Sequence, residues 1–224
     1  MRNAVLAGAA MMIAATLAAP AARAASDEGT LVSRARIVVD DLKTDQEFGN
    51  ARSLLHRARA VLIVPQLVKG GFFFGGEGGS GVLLARTATG WSDPAFYTMA
   101  SASFGLQIGL QSAEVVMLVM SEKGLNALMS DQFKIGADAG LTVVTLGSNA
   151  ELATTAAARA DIVAWASSSG AYAGITINGS IVKPRESWNE AYYGRTLSPR
   201  QIITAPAGVA REAVDLRRDL RSVS

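Results

Sequence analysis

The prediction of the fold starts from residues 91–121, WSDPAFYTMASASFGLQIGLQSAEVVMLVMS. Between 104 and 111 this stretch alternates strictly, with Phe, Leu or Ile on one side and Gly or Gln on the other. A period of two is typical of a strand that has one face on a core. The all-apolar run 115–120 is typical of a central strand that is covered on both faces. We therefore predict that these two segments form a buried antiparallel pair.

Helical patterns surround this pair. Apolar residues recur at helical spacing within 26–45, which predicts an amphipathic helix that packs on the sheet or lies on a membrane surface. A second helix is predicted at 50–59, and a solvated, weakly docked C-terminal helix at 206–220. Further short helices are predicted at 122–129 after Ser121, at 186–193 before Gly194, and after Ser198-Pro199.

Glycine and proline set the ends of the predicted strands. A buried strand at 60–64 is expected to stop at Pro65, which cannot donate to a ladder. The glycine-rich segment 69–87 is predicted as strand, loop and strand. It contains a Gly-x-Gly-x-x-Gly spacing, but the pattern that follows is a strand and not the helix that a dinucleotide site needs. Further strands are predicted at 133–143, at 162–166, and on both sides of a hairpin turn at Asn178-Gly179.

These elements predict a single α+β domain. Its centre is expected to be a curved, mainly antiparallel, glycine-rich β-sheet or partial barrel, with N-terminal helices and short flanking helices. No internal repeat or domain linker interrupts the sequence.

Residues 1–24 have the features of a secretory signal peptide: Arg2 in a short positive region, an apolar stretch, and an Ala-x-Ala cleavage pattern. Cleavage is predicted after Ala24 or after Ala21. The alternative, an uncleaved membrane anchor, needs about 20 apolar residues, and this stretch is shorter. Loss of Arg2 and Arg23 lowers the 21 basic residues to 19, equal to the 19 acidic residues. A neutral mature chain gives no electrostatic basis for binding nucleic acid.

The available residue types limit the chemistry. The chain has no cysteine, which excludes disulfides, thiolate sites and the lipid-modified cysteine of a bacterial lipoprotein. It has one histidine, His56, so a Ser-His-Asp triad or a histidine metal site is a poor hypothesis, and we predict no metal and no cofactor. Asp93, Glu114 and Asp138 could supply paired carboxylates, although Asp93 is also explained as a turn residue before Pro94.

Basic residues beside an apolar sheet favour a different function. Arg57, Arg59 and Lys69 bracket the predicted strand 60–64, and Arg52 precedes them on a predicted helix. Near the mouth of an apolar groove, such cations can hold a phosphate head group. The alternative is that they are ordinary surface cations.

Five ordered blocks point to a known family. They are ARAVLIVPQLVKGGFFFGGEGGSGVLL, GWSDPAFYTMASASFGLQIGLQS, FKIGADAG, SSSGAYAGITINGSIV and AYYGR. Over 48–203 the sequence resembles the SYLF domain, found in bacterial envelope proteins and in eukaryotic membrane-trafficking and actin-patch proteins. The resemblance implies phospholipid binding, with phosphoinositides as the ligands of eukaryotic members and an amphipathic N-terminal helix and nearby basic residues contributing. Lys69 stands at the family's Lys-x-Gly-Phe position.

We therefore predict a non-enzymatic phospholipid-binding protein of the bacterial cell envelope, exported and either periplasmic, peripheral to the membrane or secreted. Lys69, Arg57, Arg59 and Arg52 are its predicted lipid-binding residues, and phospholipids or a membrane surface its partners. One alternative is a structural or protein-interaction module with an envelope protein as its partner and no lipid affinity. The other is a hydrolase built on the acids above or on the histidine. The predicted order is a signal peptide at 1–24, an amphipathic helix at 25–47, the SYLF-like domain at 48–203, and a C-terminal helix or tail at 204–224.

Overall fold

The computed structural model describes residues 26–44, 48–71, 74–104, 111–145, 160–168, 177, 179–206, 208 and 210–223. The predicted signal peptide, most of the alternating stretch at 104–111 and most of the predicted hairpin at Asn178-Gly179 lie outside these residues. The described helices are α1 (Asp27–Thr44), α2 (Gly49–Leu55), α3 (Glu122–Leu128), α4 (Glu186–Tyr193), α5 (Pro199–Thr204) and α6 (Arg211–Val223). The described strands are β1 (Ala60–Gly71), β2 (Phe74–Thr87), β3 (Gly90–Trp91), β4 (Ala95–Phe104), β5 (Gln111–Val119), β6 (Phe133–Lys134), β7 (Leu141–Thr145), β8 (Ile162–Ser168) and β9 (Ile181–Pro184).

The described strands form one curled sheet. Its order is β6-β9-β4-β2-β1-β5-β8-β7, and the short β3 pairs with β2. β7 and β8 are parallel, and the other described pairs are antiparallel. With helices on both faces, this half-barrel confirms the predicted α+β domain with a curved, mainly antiparallel sheet.

The predicted pairing within 91–121 is wrong. β4 and β5 carry the strand residues of this stretch, but β2 and β1 lie between them in the sheet. β4 pairs with β2 and β9, whereas β5 pairs with β1 and β8. A period of two defines the two faces of a strand and not its neighbours, so the pattern did not show that β1 and β8 flank the run 115–119. The run 115–119 is buried throughout, as predicted for a central strand.

Pro65 does not end β1. The strand continues through it to Gly71, and the ladder with β2 shifts register between Ile63 and Gln66. The ladder with β5 shifts at the same place. A bulge removes this position from regular pairing, so the missing N–H of proline costs no ladder hydrogen bond.

The glycine-rich segment is a strand where a loop was predicted. β2 is continuous over Phe74–Thr87, and none of its described glycines has a positive φ. Two of them face the bulge in β1. A Cβ on Gly79 would lie 2.5 Å from the carbonyl oxygen of Gln66, and a Cβ on Gly81 would lie 2.7 Å from that of Ile63. Glycine is needed here because the two backbones approach so closely, and not because the chain turns.

The predicted single strand at 133–143 is two strands. Gly136, at φ 85°, interrupts the extended chain between β6 and β7, which lie at opposite edges of the sheet. Their connection is bonded to both edges. Ile135 N donates to the carbonyl of Ser180, directly before β9, and the carbonyl of Gly140 accepts from the N–H of Ile162, the first residue of β8. The sequence alternates between apolar and polar residues through this turn as well, so the pattern did not reveal the turn.

Two apolar cores lie on the two faces of the sheet. On one face, α1, α2 and α6 pack on residues such as Val61 and Leu118. On the other face, α3 and α5 pack on residues such as Leu62 and Met117. Alternate residues of β1 and β5 therefore serve different cores, which explains why these strands are apolar throughout.

The predicted helix ends are confirmed where capping residues set them. Ser121 Oγ accepts from Gly124 N at the start of α3, and Ser198 forms a capping box with Gln201 at the start of α5. Gly194, at φ 66°, ends α4 in the left-handed conformation. α2 ends at residue 55, earlier than predicted.

The C-terminal helix is firmly docked, contrary to the prediction. Its apolar stripe is buried in the same core as α1. Arg36 of α1 donates from Nε to Asp219 Oδ2 (2.8 Å) and from Nη1 to Asp215 Oδ2 (3.3 Å). An amphipathic pattern gives the face of a helix but not its partner, so the sequence did not show that α1 receives it.

Replacing Gly79 with alanine should destabilise the protein, because the added Cβ would also lie 2.9 Å from Val64 Cγ1. We expect a loss of about 1–3 kcal/mol in the free energy of unfolding, measured by urea denaturation. Gly78→Ala is the matched control, since its Cβ would meet only Met99 O at 3.9 Å. Equal stability of the two variants would show that the bulge does not constrain β2.

Candidate functional site

A row of polar side chains crosses four strands of the sheet. Gln66 of β1 pairs with Ser80 of β2, Ser80 with Thr98 of β4, and Thr98 with Lys183 of β9. Directly paired residues of antiparallel strands project to the same face, so the four side chains lie side by side. Gln66 and Lys183 are exposed, and the other two are half-buried.

An apolar strip runs beside this polar row. The next paired positions are Val68, Gly78, Ala100 and Ile181, and they project to the same face. Ile181 is half-buried and the other three are exposed; Val68 keeps 36% of its surface accessible. Lys134 of β6 pairs with Ile181 and ends the strip with a cation. We call the polar row and the strip together the open face.

The side of the sheet that carries the open face is covered by helices toward the start of β4. Phe96, two residues before Thr98 on β4, is fully buried and makes edge contacts with Trp188 and Tyr192 of α4. The cover by helices therefore ends near the row Gln66–Ser80–Thr98–Lys183. Beyond it, among the described side chains, Val68, Gly78 and Ala100 on the same side of the sheet are exposed. An exposed apolar surface that is rimmed by polar residues is typical of an interaction site.

A cleft lies where α1, the β1 bulge and α4 meet at the edge of the open face. Its volume is about 280 Å³. Its lining residues are Asp27, Thr30, Leu31, Arg34, Pro65, Gln66, Ser80 and Trp188. The cleft depends on the bulge, because the register shift there places Pro65 and Gln66 under α1.

Two arginines are held at this cleft. Arg34 of α1 donates from Nη1 to Gln66 Oε1 (3.1 Å). Arg185 donates from Nη1 to Ser80 Oγ (2.7 Å), and its guanidinium carbon lies 3.6 Å from the centroid of the Trp188 ring. Stacking and a hydrogen bond fix the Arg185 plane, and a guanidinium group carries further N–H donors besides the one bonded to Ser80. Such a pair of guanidinium groups suits a phosphate or carboxylate oxygen.

The predicted basic residues do not form one cluster. Lys69 lies in β1 opposite Glu77 and Gln111, and its side chain is outside the described part of the structure. Arg57 and Arg59 precede β1 at its other end, which places them about 30 Å from Lys69 along an extended strand. Their role in lipid binding stays a prediction, but one head group cannot contact both ends of β1.

Two of these predicted arginines have structural partners. Arg52 donates from Nη1 to the carbonyls of Leu42 (2.9 Å) and Lys43 (3.3 Å), so it caps the C-terminal end of α1. Arg59 forms an ion pair with Glu122 at the start of α3. Arg57 is exposed in the turn after α2.

The residues proposed for a hydrolase lie in separate environments. Asp93 is buried, pairs through Oδ1 with Arg217 Nη1 (3.0 Å), and accepts from Gly208 N (3.1 Å). Burial, and secondarily the nearby carboxylate of Asp41, raises the pKa of Glu114 on β5. Asp138 and His56 are exposed, in different turns. Asp93 thus anchors α6, and the structure gives these acids no common site.

Two further kinds of feature are absent from the described ranges. No group of three acidic or histidine side chains in those ranges could hold a metal ion. None of the described helices combines the length and hydropathy that a bilayer crossing needs.

Sequence reasoning missed the cations of the open face. No functional role was assigned to Arg34, Lys183 or Arg185 from the sequence. The segment Lys183-Pro184-Arg185 was the available signal, since two cations flank a proline directly after a predicted hairpin. Without the order of the strands, nothing placed this segment beside α1.

The chain resembles proteins of one eukaryotic group. A family model described as "Ysc84: Las17-binding protein actin regulator" matches residues 100–223. The chain is 30% identical over 196 residues to Protein YSC84 of Saccharomyces cerevisiae, covering 84% of this chain and 42% of that protein. It is 29% identical over 178 residues to LAS seventeen-binding protein 3 of the same species (76% and 39% covered), and 26% identical over 171 residues to human SH3 domain-containing YSC84-like protein 1 (75% and 50% covered). The chain thus spans two-fifths to half of the length of these relatives. No solved structure gives a significant match.

Asp93→Ala should destabilise the protein, because it leaves the Arg217 guanidinium and Gly208 N without a buried acceptor. We expect a loss of about 1–3 kcal/mol in the free energy of unfolding. The comparison is His56→Ala, an exposed turn substitution that should stay within about 0.5 kcal/mol. Unchanged stability of Asp93→Ala would contradict the anchoring role of this carboxylate.

Proposed function

The chain belongs to the Ysc84 family, whose domain is also called SYLF, and from this premise we propose that it is a non-enzymatic phospholipid-binding protein of the bacterial cell envelope. The open face is its membrane-contacting surface. Arg34, Arg185, Lys183 and Lys134 would meet anionic phosphates, while the apolar strip between and beside them would meet the acyl region.

The open face is the observation that carries this proposal. Val68, Gly78 and Ala100 are small enough to leave a flat surface, so lipid can approach the backbone of the sheet closely. Cations at the border of an apolar surface match an anionic bilayer, whose phosphates lie directly above its hydrocarbon. A surface designed only for solubility would carry both charge signs in place of the strip.

A binding role is also stated in two of the names that the comparisons give. The family model and the second yeast relative are named for binding Las17. A second candidate function is therefore a protein-interaction module of the envelope, in which the open face would receive a protein. Flotation with lipid vesicles separates the two, since this module would have no affinity for lipid.

Export is the second part of the proposal. Residues 1–24 have the organisation of a signal peptide, and the chain has no cysteine for a lipoprotein anchor. Intact-mass spectrometry of the protein purified from a bacterial host should give a chain that begins at Ala25, or at Ala22 for cleavage after Ala21. A mass that includes Met1 and Arg2 would contradict cleavage.

The protein processed in this way should float with vesicles that contain anionic phospholipid and remain unbound with zwitterionic vesicles. Arg34→Gln and Lys183→Gln should each lower the binding constant for the vesicles about fivefold, because one cation near an anionic surface contributes about 1 kcal/mol. Added salt should weaken binding, since the Debye length is about 10 Å at 0.1 M.

Arg57→Gln and Lys69→Ala complete this series. Arg57→Gln removes the same charge at the far end of β1, so it should leave flotation unchanged if the open face is the site. A larger loss with Arg57→Gln or Lys69→Ala than with Arg34→Gln would favour the residues predicted from the sequence. Absence of flotation with every lipid would leave the protein-interaction function.

A further inference from the structure

We infer that the cleft beside the open face recognises one phosphodiester that carries a neutral, hydroxylated head group, as in a glycerol-type phospholipid. This inference rests on the proposed phospholipid-binding function and assigns the chemical class of the ligand. It also assigns a role to Asp27, an acid that general attraction to an anionic membrane does not explain.

The charges at the cleft set the charge of the ligand. Arg34 lines the cleft, Arg185 borders it through Ser80 and Trp188, and the carboxylate of Asp27 also lines it. Two cations and one carboxylate leave one net positive charge. A phosphodiester carries one negative charge and matches it, whereas a phosphomonoester carries between about one and a half and two. The additional negative charge of a phosphomonoester would be repelled by the Asp27 carboxylate.

The uncharged groups of the cleft suit hydroxyls. Thr30, Gln66 and Ser80 line it with both donors and acceptors, and the carboxylate of Asp27 can only accept. A carboxylate beside a bound phosphate is unfavourable unless it accepts a hydrogen bond from the same ligand. A hydroxylated head group supplies that donor, and a volume of about 280 Å³ has room for a group the size of glycerol phosphate.

The open face accounts for the rest of such a lipid. Gln66 and Ser80 belong both to the cleft and to the polar row, and the apolar strip is the next row of the same strands. A phosphate between Arg34 and Arg185 would therefore have its hydroxylated group in the cleft and its acyl chains beside Val68 and Gly78.

Flotation with three anionic lipids at equal mole fraction tests this assignment. Phosphatidylglycerol should bind about fivefold better than phosphatidic acid, a ratio that corresponds to about 1 kcal/mol. General electrostatics predicts the reverse, because phosphatidic acid carries more charge. Phosphatidylethanol, a phosphodiester without a hydroxyl, should also bind less well than phosphatidylglycerol, and equal binding would overturn the role of the hydroxyls.

Asp27→Asn identifies the residue responsible. It should abolish the preference for phosphatidylglycerol over phosphatidic acid, because the repelling charge is gone. Asp131→Asn, which makes the same charge change at an exposed loop residue, should keep the preference. A preference that survives in Asp27→Asn would overturn the inference.

A soluble ligand separates recognition in the cleft from attraction to a bilayer. Glycerophosphoglycerol, the deacylated head group, should compete with phosphatidylglycerol vesicles, and glycerol 1-phosphate should compete less well. Flotation that neither compound reduces would overturn the cleft site while the proposed function stands. A protein that floats with none of the lipids would refute the proposed function itself.

Discussion

The close approach of β1 and β2 at the Pro65 bulge determines both how the sheet packs and where the candidate site lies. Proline removes one donor from a central strand, and the register shift that accommodates it presses the carbonyls of Ile63 and Gln66 toward β2. Only glycine at 79 and 81 leaves room for them. The bulge also increases local twist, which helps to curl a long sheet toward a half-barrel.

The same bulge places the candidate site. On one side of it, α1 and α4 cover the sheet and complete a core; on the other side the sheet is exposed. Gln66 resumes the ladder with β2 after the bulge, and its side chain reaches Arg34, so the boundary between the covered and exposed parts is polar. α6 contributes indirectly, because its ion pairs with Arg36 hold α1 above this boundary.

The sequence was informative where one segment determines its own structure. Ser121, Ser198 and Gly194 set helix ends by local hydrogen bonds and backbone conformation, so these ends could be predicted. Strand neighbours depend on distant residues, so the run 115–119 was given the wrong partner and the glycines of β2 were assigned to a loop. The prediction of one basic cluster was wrong for the same reason, because Lys69 and Arg59 are close in sequence but lie at opposite ends of β1.

The magnitudes explain why cations and an apolar strip must act together. At about 1 kcal/mol for each cation near an anionic surface, the four cations of the open face contribute about 4 kcal/mol. That alone corresponds to a dissociation constant of about 1 mM, which is too weak for stable attachment. Burial of apolar surface adds about 25 cal/mol for each Å², so even a strip of modest area contributes as much as one or two cations. The charges select the membrane and orient the face, while the small apolar residues between them supply the contact that salt does not screen.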